Sequence, residues 1–342
     1  MRTGKDLIMA TKPFAKEIRW KSWYVTLSTF LMLVLCIVGT FPNYGHYYEP
    51  NIMLRIVFSI FTALLLSRFF IIYHDYQHHT ILRKSFIASI IFTMFGFYMI
   101  TPPSIWKRSH DHHHNHNAKL FSASIGSFPI MTKQKFLDAS NKERMIYLAI
   151  RNPINMFFAY FTTFMFGMCI QSFMSSPRRH WDSLLTLIIH YSAAVFLFVY
   201  FGWDTWFLTF FLPFFLSHML GSYLFYAQHN FPGVIYKKNA DWNYTDAAIE
   251  SSSYMKMNPI MQWFTANIGL HHIHHLNSKI PFYRLPETMA AIPELQKAIV
   301  TSLKPKDIVA CLKLKVWDQE QNKMIGFTEM GYSRKMRTIV AR

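Results

Sequence analysis

Three histidine clusters constrain the fold of this chain most, because each stands at or near the end of a long apolar stretch. The first is His-Asp-Tyr-Gln-His-His at 74–79, the second is His-Asp-His-His-His-Asn-His at 110–116, and the third is His-His-Ile-His-His at 271–275. Imidazole is a frequent metal ligand, since its nitrogen offers a lone pair at neutral pH without a buried charge. The chain is therefore predicted to fold so that the clusters meet around metal.

Helical spacing selects some histidines of each cluster and turns others away. Successive residues on a helix advance by about 100°, so positions i, i+3 and i+4 share a face. The second and third clusters each offer such a triplet, and the first offers an i, i+4 pair. The selected residues are His74, His78, His110, His113, His114, His271, His274 and His275. The residues that point away from these faces are His79, His112, His116 and His272.

Eight imidazoles exceed the roughly four to six protein ligands that one ion accepts, which predicts two metal ions. Zinc has no redox chemistry, whereas nitrogen-bound iron with open positions activates oxygen. A site at a membrane surface indicates an apolar substrate, and oxidation of an unactivated C–H bond requires such a metal. Asp75 and Asp111 each follow the first histidine of a cluster, so both are candidates to orient a ligand imidazole.

Composition places the chain in a membrane. Of its 342 residues 52% are hydrophobic and 33 are Phe, and its formal net charge is +17. The basic residues flank apolar stretches and form no recognisable nucleic-acid module, so a nucleic-acid partner is not expected. Residues 1–21 are too polar for a cleavable signal. Three scattered cysteines support neither a disulfide framework nor a cysteine zinc site.

Six apolar stretches compete for the bilayer, and they are 24–41, 52–73, 85–101, 154–174, 183–202 and 205–228. A shared site requires all three clusters at one face of the membrane. The first two stretches are predicted to form a hairpin, because the connector 42–51 has no Lys or Arg and belongs outside.

A full crossing by 85–101 would separate the first two clusters, so this stretch is predicted to lie in the membrane plane or to re-enter, helped by Pro102-Pro103. Arg178-Arg179 favour 154–174 as the other non-spanning stretch, with the last two forming a second hairpin. The predicted fold is an all-α integral membrane protein. It has about four transmembrane helices in two hairpins, in-plane or re-entrant helices, and a cytoplasmic cap that carries the metal site.

Longer motifs around the clusters resemble the membrane fatty acid desaturases. The second cluster follows Trp106-Lys-Arg-Ser-His110, and the third lies in Asn267-Ile-Gly-Leu-His-His-Ile-His-His-Leu-Asn277, which leads to Ile280-Pro-Phe-Tyr-Arg-Leu285. The resemblance is strongest to bacterial acyl-lipid members of omega type and covers roughly 50–330. It implies a non-haem di-iron centre, O2 as co-substrate, and His229, from the pattern Gln228-His229, as a ninth metal ligand.

The resemblance also predicts partners, domains and location. The substrate is an acyl lipid or acyl thioester, and the reductant is an external carrier of ferredoxin or cytochrome type, since no dinucleotide fingerprint is present. Residues 1–23 are predicted as a cytoplasmic N-terminal segment, 24–285 as the membrane domain and 286–342 as a basic cytoplasmic tail. The protein is expected in the bacterial inner membrane as a multi-pass protein, with its site on the cytoplasmic face.

Two other functions use the same sequence features. A membrane hydroxylase or ketolase would share the metal site and insert oxygen instead of removing hydrogen. A non-enzymatic metal transporter or sensor would place polar ligands along a path at mid-membrane, whereas these clusters stand at the ends of apolar stretches. Product analysis separates the first alternative from a desaturase, and the placement of the ligands separates the second.

Overall fold

The computed structural model describes residues 2–42, 51–120 and 128–331, and this part of the chain is mostly helical. Most of the predicted connector 42–51 and the end of the basic tail lie outside the described residues. The α-helices, named α1 to α16 in chain order, are Gly4–Thr11, Arg19–Gly39, Ile52–Gln77, Phe86–Tyr98, Pro103–Asn115, Lys133–Asp138, Asn141–Ile150, Pro153–Phe157, Ser172–Ser175, Trp181–Trp206, Leu212–His229, Tyr244–Glu250, Pro259–Phe264, His271–Leu276, Leu285–Ala291 and Pro305–Lys313.

Shorter elements complete the described chain. The π-helical stretches are Tyr160–Gln171 and Phe207–Phe211, and the 3-10 turns are Lys12–Ala15, Phe282–Arg284 and Pro293–Lys297. The strands β1 to β4 are Tyr254–Lys256, Val300–Ser302, Val316–Asp318 and Lys323–Ile325. β1 pairs with β2 in parallel, and β3 pairs with β4 antiparallel.

The two small sheets depart from the all-α prediction. The β3–β4 hairpin has a local cause, because Val316 and Trp317 precede a polar turn whose backbone is held by one side chain. Asp318 Oδ1 accepts hydrogen bonds from the backbone N–H groups of Glu320 at 3.0 Å and Gln321 at 3.2 Å. Apolar residues on both sides of such a turn favour a hairpin. Both sheets lie after α12, outside the apolar helices.

By length and composition, three helical stretches of the described residues are able to cross a membrane: Arg19–Gly39, Ile52–Gln77 and Trp181–His229. The pair α4 and α5, bent by 91°, adds a fourth if it is one broken span. The stretch Trp181–His229 has 49 residues. Straight, it would extend about 74 Å, more than twice the roughly 30 Å of a hydrocarbon core. It therefore contains more than one straight helical segment.

The break in this stretch is Gly202, whose φ of 80° and ψ of 175° are open almost only to glycine. Its two legs fold back on each other. The ring of His190 lies 4.6 Å from the ring of Phe210 and 4.7 Å from that of Phe214. Because His190 and Phe214 stand equally far from Gly202 along the chain, α10 and α11 form an antiparallel hairpin, the second one predicted.

The first hairpin joins α2 and α3. Arg68 Nε donates a hydrogen bond to Thr29 Oγ1 at 3.1 Å in the middle of the pair. Near the turn, Gly39 lies against the ring of Phe58, where a Cβ would stand 2.6 Å from ring atoms. A larger residue than glycine at this position would push the two helices apart.

The second helices of the two hairpins, α3 and α11, run side by side in the same direction. Arg55 donates to Thr205 Oγ1 at 3.3 Å, in the segment after Gly202 that continues into α11, and twelve residues further along both segments Ser67 Oγ lies 3.0 Å from Ser217 Oγ. The constant offset shows that the helices keep one register. Both therefore carry their histidines towards the same end of the bundle.

The two hairpin turns meet at the other end of the bundle. The buried Arg55 donates to Asp204 Oδ2 at 2.7 Å and to the backbone oxygen of Thr40 at 2.7 Å. Thr40 Oγ1 lies 2.6 Å from Thr209 Oγ1. From this end, nineteen residues of α3 lead to His74, a rise of about 28 Å. That length is close to the thickness of a hydrocarbon core.

The bend between α4 and α5 is held by side chains from other helices. Four consecutive carbonyls at the bend each accept one side-chain hydrogen bond. The donor–acceptor pairs are His190–Tyr98, His218–Met99, Cys169–Ile100 and Tyr73–Thr101. An unpaired carbonyl in apolar surroundings is costly. These bonds therefore stabilise a change of direction at the C-terminal end of the stretch 85–101, for which an in-plane or re-entrant path was predicted.

Candidate metal centre

The histidine clusters meet at the end of the bundle opposite the hairpin turns. Helix α3 ends beside the first cluster, α5 carries the second and α14 carries the third. Helix α11 ends at His229, which brings this residue to the same place. All nine histidines predicted as ligands therefore come together, although they belong to four separate helical segments.

The ring nitrogens of these nine histidines form two groups, each with its ligand atoms within 4.8 Å of one another. The five-histidine group consists of His74, His78, His110, His114 and His274. The four-histidine group consists of His113, His229, His271 and His275.

The helical wheel explains this division. Residues i and i+4 are about 40° apart, whereas i+3 lies about 60° to the other side of i. On α5 the i, i+4 pair His110 and His114 belongs to the five-histidine group, whereas His113 belongs to the four-histidine group. On α14 the i, i+4 pair belongs to the four-histidine group, and His274 joins the five. Each helix therefore contributes to both groups.

The spacing of the nitrogens fits metal coordination. Metal–imidazole bonds of about 2.1 Å place ligands at right angles roughly 3.0 Å apart. In the four-histidine group, successive Nε2 distances around the ring His113, His229, His271 and His275 are 3.0, 2.9, 3.1 and 3.2 Å. In the five-histidine group, successive Nε2 distances along His74, His110, His114 and His274 are 2.8, 3.0 and 3.0 Å.

Hydrogen bonds on the far side of two rings direct their lone pairs inwards. His74 Nδ1 lies 3.3 Å from Asp75 Oδ1, and Asp75 Oδ2 accepts from the backbone N–H of Phe282 at 2.7 Å. His229 Nδ1 donates to the backbone oxygen of Ser251 at 3.2 Å. With the proton held on Nδ1, Nε2 of each ring presents its lone pair to the centre, as a metal ion requires.

The two acidic candidates differ. Asp75 is buried and contacts a ring of the site, as the sequence suggested. Asp111 instead pairs with Lys107 Nζ at 2.7 Å, one helical turn away along α5. A charge partner at i, i+4 is the ordinary arrangement on a helix surface. Asp75 alone of the two therefore orients an imidazole of the candidate site.

Burial keeps the third cluster neutral. The pKa values of His271, His274 and His275 lie well below the usual histidine range, first because burial penalises the charged ring and then because other imidazoles lie close. Burial, followed by the nearby imidazoles of His74 and His274 and then by two lysines, also lowers the pKa of His78. A neutral ring keeps the lone pair that a metal needs, so these side chains are ready to bind at neutral pH.

The four histidines turned away by the helical wheel lie outside both groups. The rings of His112 and His116 stack on each other with centroids 4.2 Å apart. His272 is fully buried, and its Nε2 donates to the backbone oxygen of Leu295 at 3.1 Å. His79, the last residue of the first cluster, has a φ of 57° and lies beyond the end of α3. His272 therefore has a structural contact of its own.

A cavity with mostly apolar walls and about 1150 Å³ of empty space, its mouth included, adjoins both groups. His74 and His110 of one group and His113 and His271 of the other line its inner end. From there it follows α11 back to Ser217, which is eleven residues before Gln228, or about 16 Å. The cavity is thus an elongated space with mostly apolar walls that reaches the ring nitrogens.

The wall that α11 contributes to this cavity was not predicted from the sequence. Its residues recur at helical spacing, and they are Ser217, His218, Gly221, Ser222, Leu224, Phe225 and Gln228. Small and polar residues on one face of a Phe-rich helix are a signal that sequence inspection can find. Gly221 faces open space, because a Cβ there would meet nothing within 4 Å.

Comparisons with known proteins agree with this geometry. A family model described as fatty acid desaturase matches residues 50–302. A fatty acid desaturase of Bacillus subtilis is 28% identical over 330 residues, which cover 94% of this chain and 90% of that protein. An sn-1 oleoyl-lipid 12-desaturase of Synechocystis sp. is 23% identical over 268 residues, which cover 78% of this chain and 73% of that protein.

The residues that the family model matches contain all three clusters and His229. The resemblance predicted from the histidine motifs is therefore confirmed. The apolar helices and the desaturase relatives identify a membrane protein. The chain belongs to the fatty acid desaturase family of oxidoreductases.

Proposed function

We propose that this protein is an O2-dependent acyl-lipid desaturase that places a cis double bond in an acyl chain. The observation that carries the proposal is the meeting of two groups of imidazole nitrogens at the inner end of an apolar cavity. Relatives named as lipid 12-desaturases support a lipid-borne acyl chain as the substrate.

The nine histidines of the two groups are proposed to hold two iron ions. Iron bound by nitrogen supplies the oxygen-activating redox chemistry that C–H oxidation needs. In the net reaction, two hydrogens leave neighbouring carbons of the acyl chain. Together with two electrons and two protons from outside, they reduce one O2 to two waters.

The protein's own part in this reaction is positioning. The cavity wall formed by Phe70, Ile71 and Phe225 gives an acyl chain apolar contacts and keeps water away from it. The rings of His74 and His113 are on that wall, so a chain in the cavity runs past both groups. The hydrogen bond from His74 to Asp75 keeps that ring in one orientation.

The reductant is proposed to be a separate electron-transfer protein of ferredoxin or cytochrome type. The sequence has no Gly-rich dinucleotide fingerprint. Basic residues of the C-terminal region, such as Lys304, Lys306 and Lys313, offer a surface for an acidic carrier. The proposed location is the bacterial inner membrane, and the positive-inside rule supports four spans with the site on the cytoplasmic face.

The experiment that tests this function is mass spectrometry of total fatty acids from a bacterial host that expresses the chain together with a ferredoxin and its reductase. A new double bond with the wild type, absent with His113→Ala, supports desaturation. A hydroxylated or keto product would instead identify an oxygen-inserting enzyme. Loss of the product without loss of membrane-inserted protein assigns the effect to the site.

A further inference from the structure

A second pocket lies on the other side of the four-histidine group and differs in character from the acyl cavity. Its walls include Arg151, Lys119 and His116, together with the polar side chains of Asn117 and Asn230. Its empty space is about 640 Å³, mouth included. This pocket carries basic side chains and has a larger polar share of its wall than the first one, although apolar side chains form much of its lining too.

Arg151 is the buried charge of this pocket. Its relative exposure is 0%, and its guanidinium donates to neutral oxygens only, which belong to Pro129, Leu314, Tyr226 and Asn230. Its Nε has no hydrogen-bond partner among the described residues. Arginine is rarely buried without an anion, because carbonyl and hydroxyl dipoles offset its charge only in part.

Further cations lie near Arg151, and no carboxylate of the described residues pairs with it. Lys315 Nζ donates to the backbone oxygen of Arg151 at 3.1 Å, and Lys119 lines the same pocket. In the described part of the chain, no ion pair includes any of these three residues. The carboxylates of Asp246 and Glu250 both pair with Lys237, which follows the pocket residue Tyr236 in the chain.

Arginine near the third cluster is placed differently. Arg284 pairs with Glu287 in two hydrogen bonds of 3.0 Å, and it also donates to the backbone oxygens of Pro13 and Lys16. Its charge is therefore neutralised within the protein. Arg151 has no such acidic partner, so of the two guanidinium groups it is the one whose charge calls for an external anion.

The two pockets adjoin each other. His113, Phe128 and Phe225 line both of them. A molecule with an apolar chain in the first pocket is therefore able to place a polar end in the second, passing beside His113. In an acyl phospholipid the acyl carbonyl is a neutral ester, and the phosphate is an anionic group. A guanidinium fork matches phosphate oxygens particularly well.

We infer that the pocket formed by Arg151, Lys119 and Asn230 binds the phosphate of a phospholipid substrate while its acyl chain occupies the apolar cavity. This inference rests on the proposed function, since it names the lipid class on which the same site acts. It selects phospholipids over neutral diacylglycerols with identical chains. Free phosphate shares the chemistry and is expected to compete weakly, because it lacks the acyl contacts.

The test measures the melting temperature of the purified iron-loaded protein in a neutral detergent. The probes are dipalmitoyl phosphatidylglycerol, dipalmitoylglycerol and inorganic phosphate. A ligand at free concentration L that binds only the folded state stabilises it by RT ln(1 + L/Kd), so the melting temperature rises once the ligand concentration exceeds Kd. We expect phosphatidylglycerol to raise it at concentrations where dipalmitoylglycerol does not, and inorganic phosphate to reduce that response.

Two variants locate the effect. Arg151→Lys keeps the charge but removes the fork, and it is expected to raise the half-saturating phospholipid concentration by about tenfold, the scale of a lost charge-assisted hydrogen bond. Because Arg151 is buried and its replacement risks the fold, Lys119→Glu provides a half-exposed second variant with a several-fold expected effect. Lys142→Glu is the control, an exposed lysine of α7 that lines neither pocket.

Three results would overturn the inference: an equal lipid response in Lys119→Glu and Lys142→Glu, an equal effect of dipalmitoylglycerol and phosphatidylglycerol, or a response to inorganic phosphate alone. The last result would assign the pocket to a free anion. Double-bond formation is measured on the same preparations. Normal phospholipid binding without any product would count against the desaturase function and leave the phosphate pocket standing.

Discussion

The Nε2 atoms of His113 and His229 lie 3.0 Å apart, although 116 residues separate them in the chain. His113 stands on α5 after the bend that follows α4, and His229 ends the second leg of the second hairpin. The contact therefore depends on both the bend and the hairpin. It joins the second cluster to a histidine that belongs to none of the three clusters.

Removal of His229 is expected to empty the four-histidine group and spare the other. His229→Ala leaves three imidazoles at that position, and loss of one ligand weakens metal binding strongly. Iron bound per chain, measured by elemental analysis of the purified protein, should fall to about half of the wild-type value. His112→Ala is the control, since His112 lies outside both groups, and an equal loss of iron in it would refute the assignment.

The bend between α4 and α5 is expected to depend on Tyr73. Tyr73→Phe leaves the backbone oxygen of Thr101 without its 3.1 Å hydrogen bond, which should cost about 1 kcal/mol. Thermal unfolding in detergent measures the change. Tyr76→Phe is the matched control, because Tyr76 stacks on Phe92 at 4.6 Å through its ring. A similar loss of stability in both variants would show that the hydroxyl of Tyr73 is not what stabilises the bend.

Gly221 is expected to control how much acyl chain the cavity accepts. A side chain at this position would enter open space in the cavity and meet no atom of the protein within 4 Å of its Cβ. Gly221→Leu should therefore fold and bind iron normally while turnover of the longest acyl chains falls by about tenfold or more.

Competition between acyl chains of different length measures this effect. Gly221→Ala should show a smaller shift in the same direction, towards shorter chains. If the two variants retain the wild-type preference, Gly221 does not face the substrate.

The ionisation of Lys315 is expected to make the free energy of unfolding depend on pH. Burial, with the nearby Arg151 as a second cause, lowers the pKa of Lys315 from 10.5 to about 8. Between these values the unfolded lysine holds a proton that the folded one has released, so stability rises with pH in this window. Lys315→Met should reduce the slope of melting temperature against pH from 8 to 10.5. An unchanged slope would mean that Lys315 stays charged in the folded protein.

Helical spacing predicted eight of the nine histidines that meet, and His229 came from the family resemblance, but neither predicted how the nine divide. The sequence placed His110, His113 and His114 on one face, and the structure assigns His113 to a different group from the other two. The helical wheel separates His113 from His110 and His114. Which histidines of α14 join each group, however, depends on how α14 lies relative to α5. Such a relation between distant helices is set by packing, which a single sequence does not reveal.

The hairpins could be predicted from parity and charge, because both arguments use only the order of apolar and basic segments. The β3–β4 hairpin was missed, although Asp318 and the polar residues after it carry the turn signal. Arg151 was missed for a different reason. Arg151 is a candidate for anion binding because no carboxylate of the described residues pairs with it. Only the folded chain shows which side chains lie around it.

The central claim is that the two histidine groups hold a metal pair that removes two hydrogens from a lipid acyl chain. Its most direct test is a single turnover of the purified protein, loaded with iron, reduced without oxygen, mixed with a phospholipid carrying perdeuterated acyl chains, and then given O2. Because two irons store two electrons, we expect about one double bond per protein molecule. Mass spectrometry detects this product as a lipid that has lost two deuterium atoms. A product that gains oxygen, or no product from fully iron-loaded protein, would contradict it.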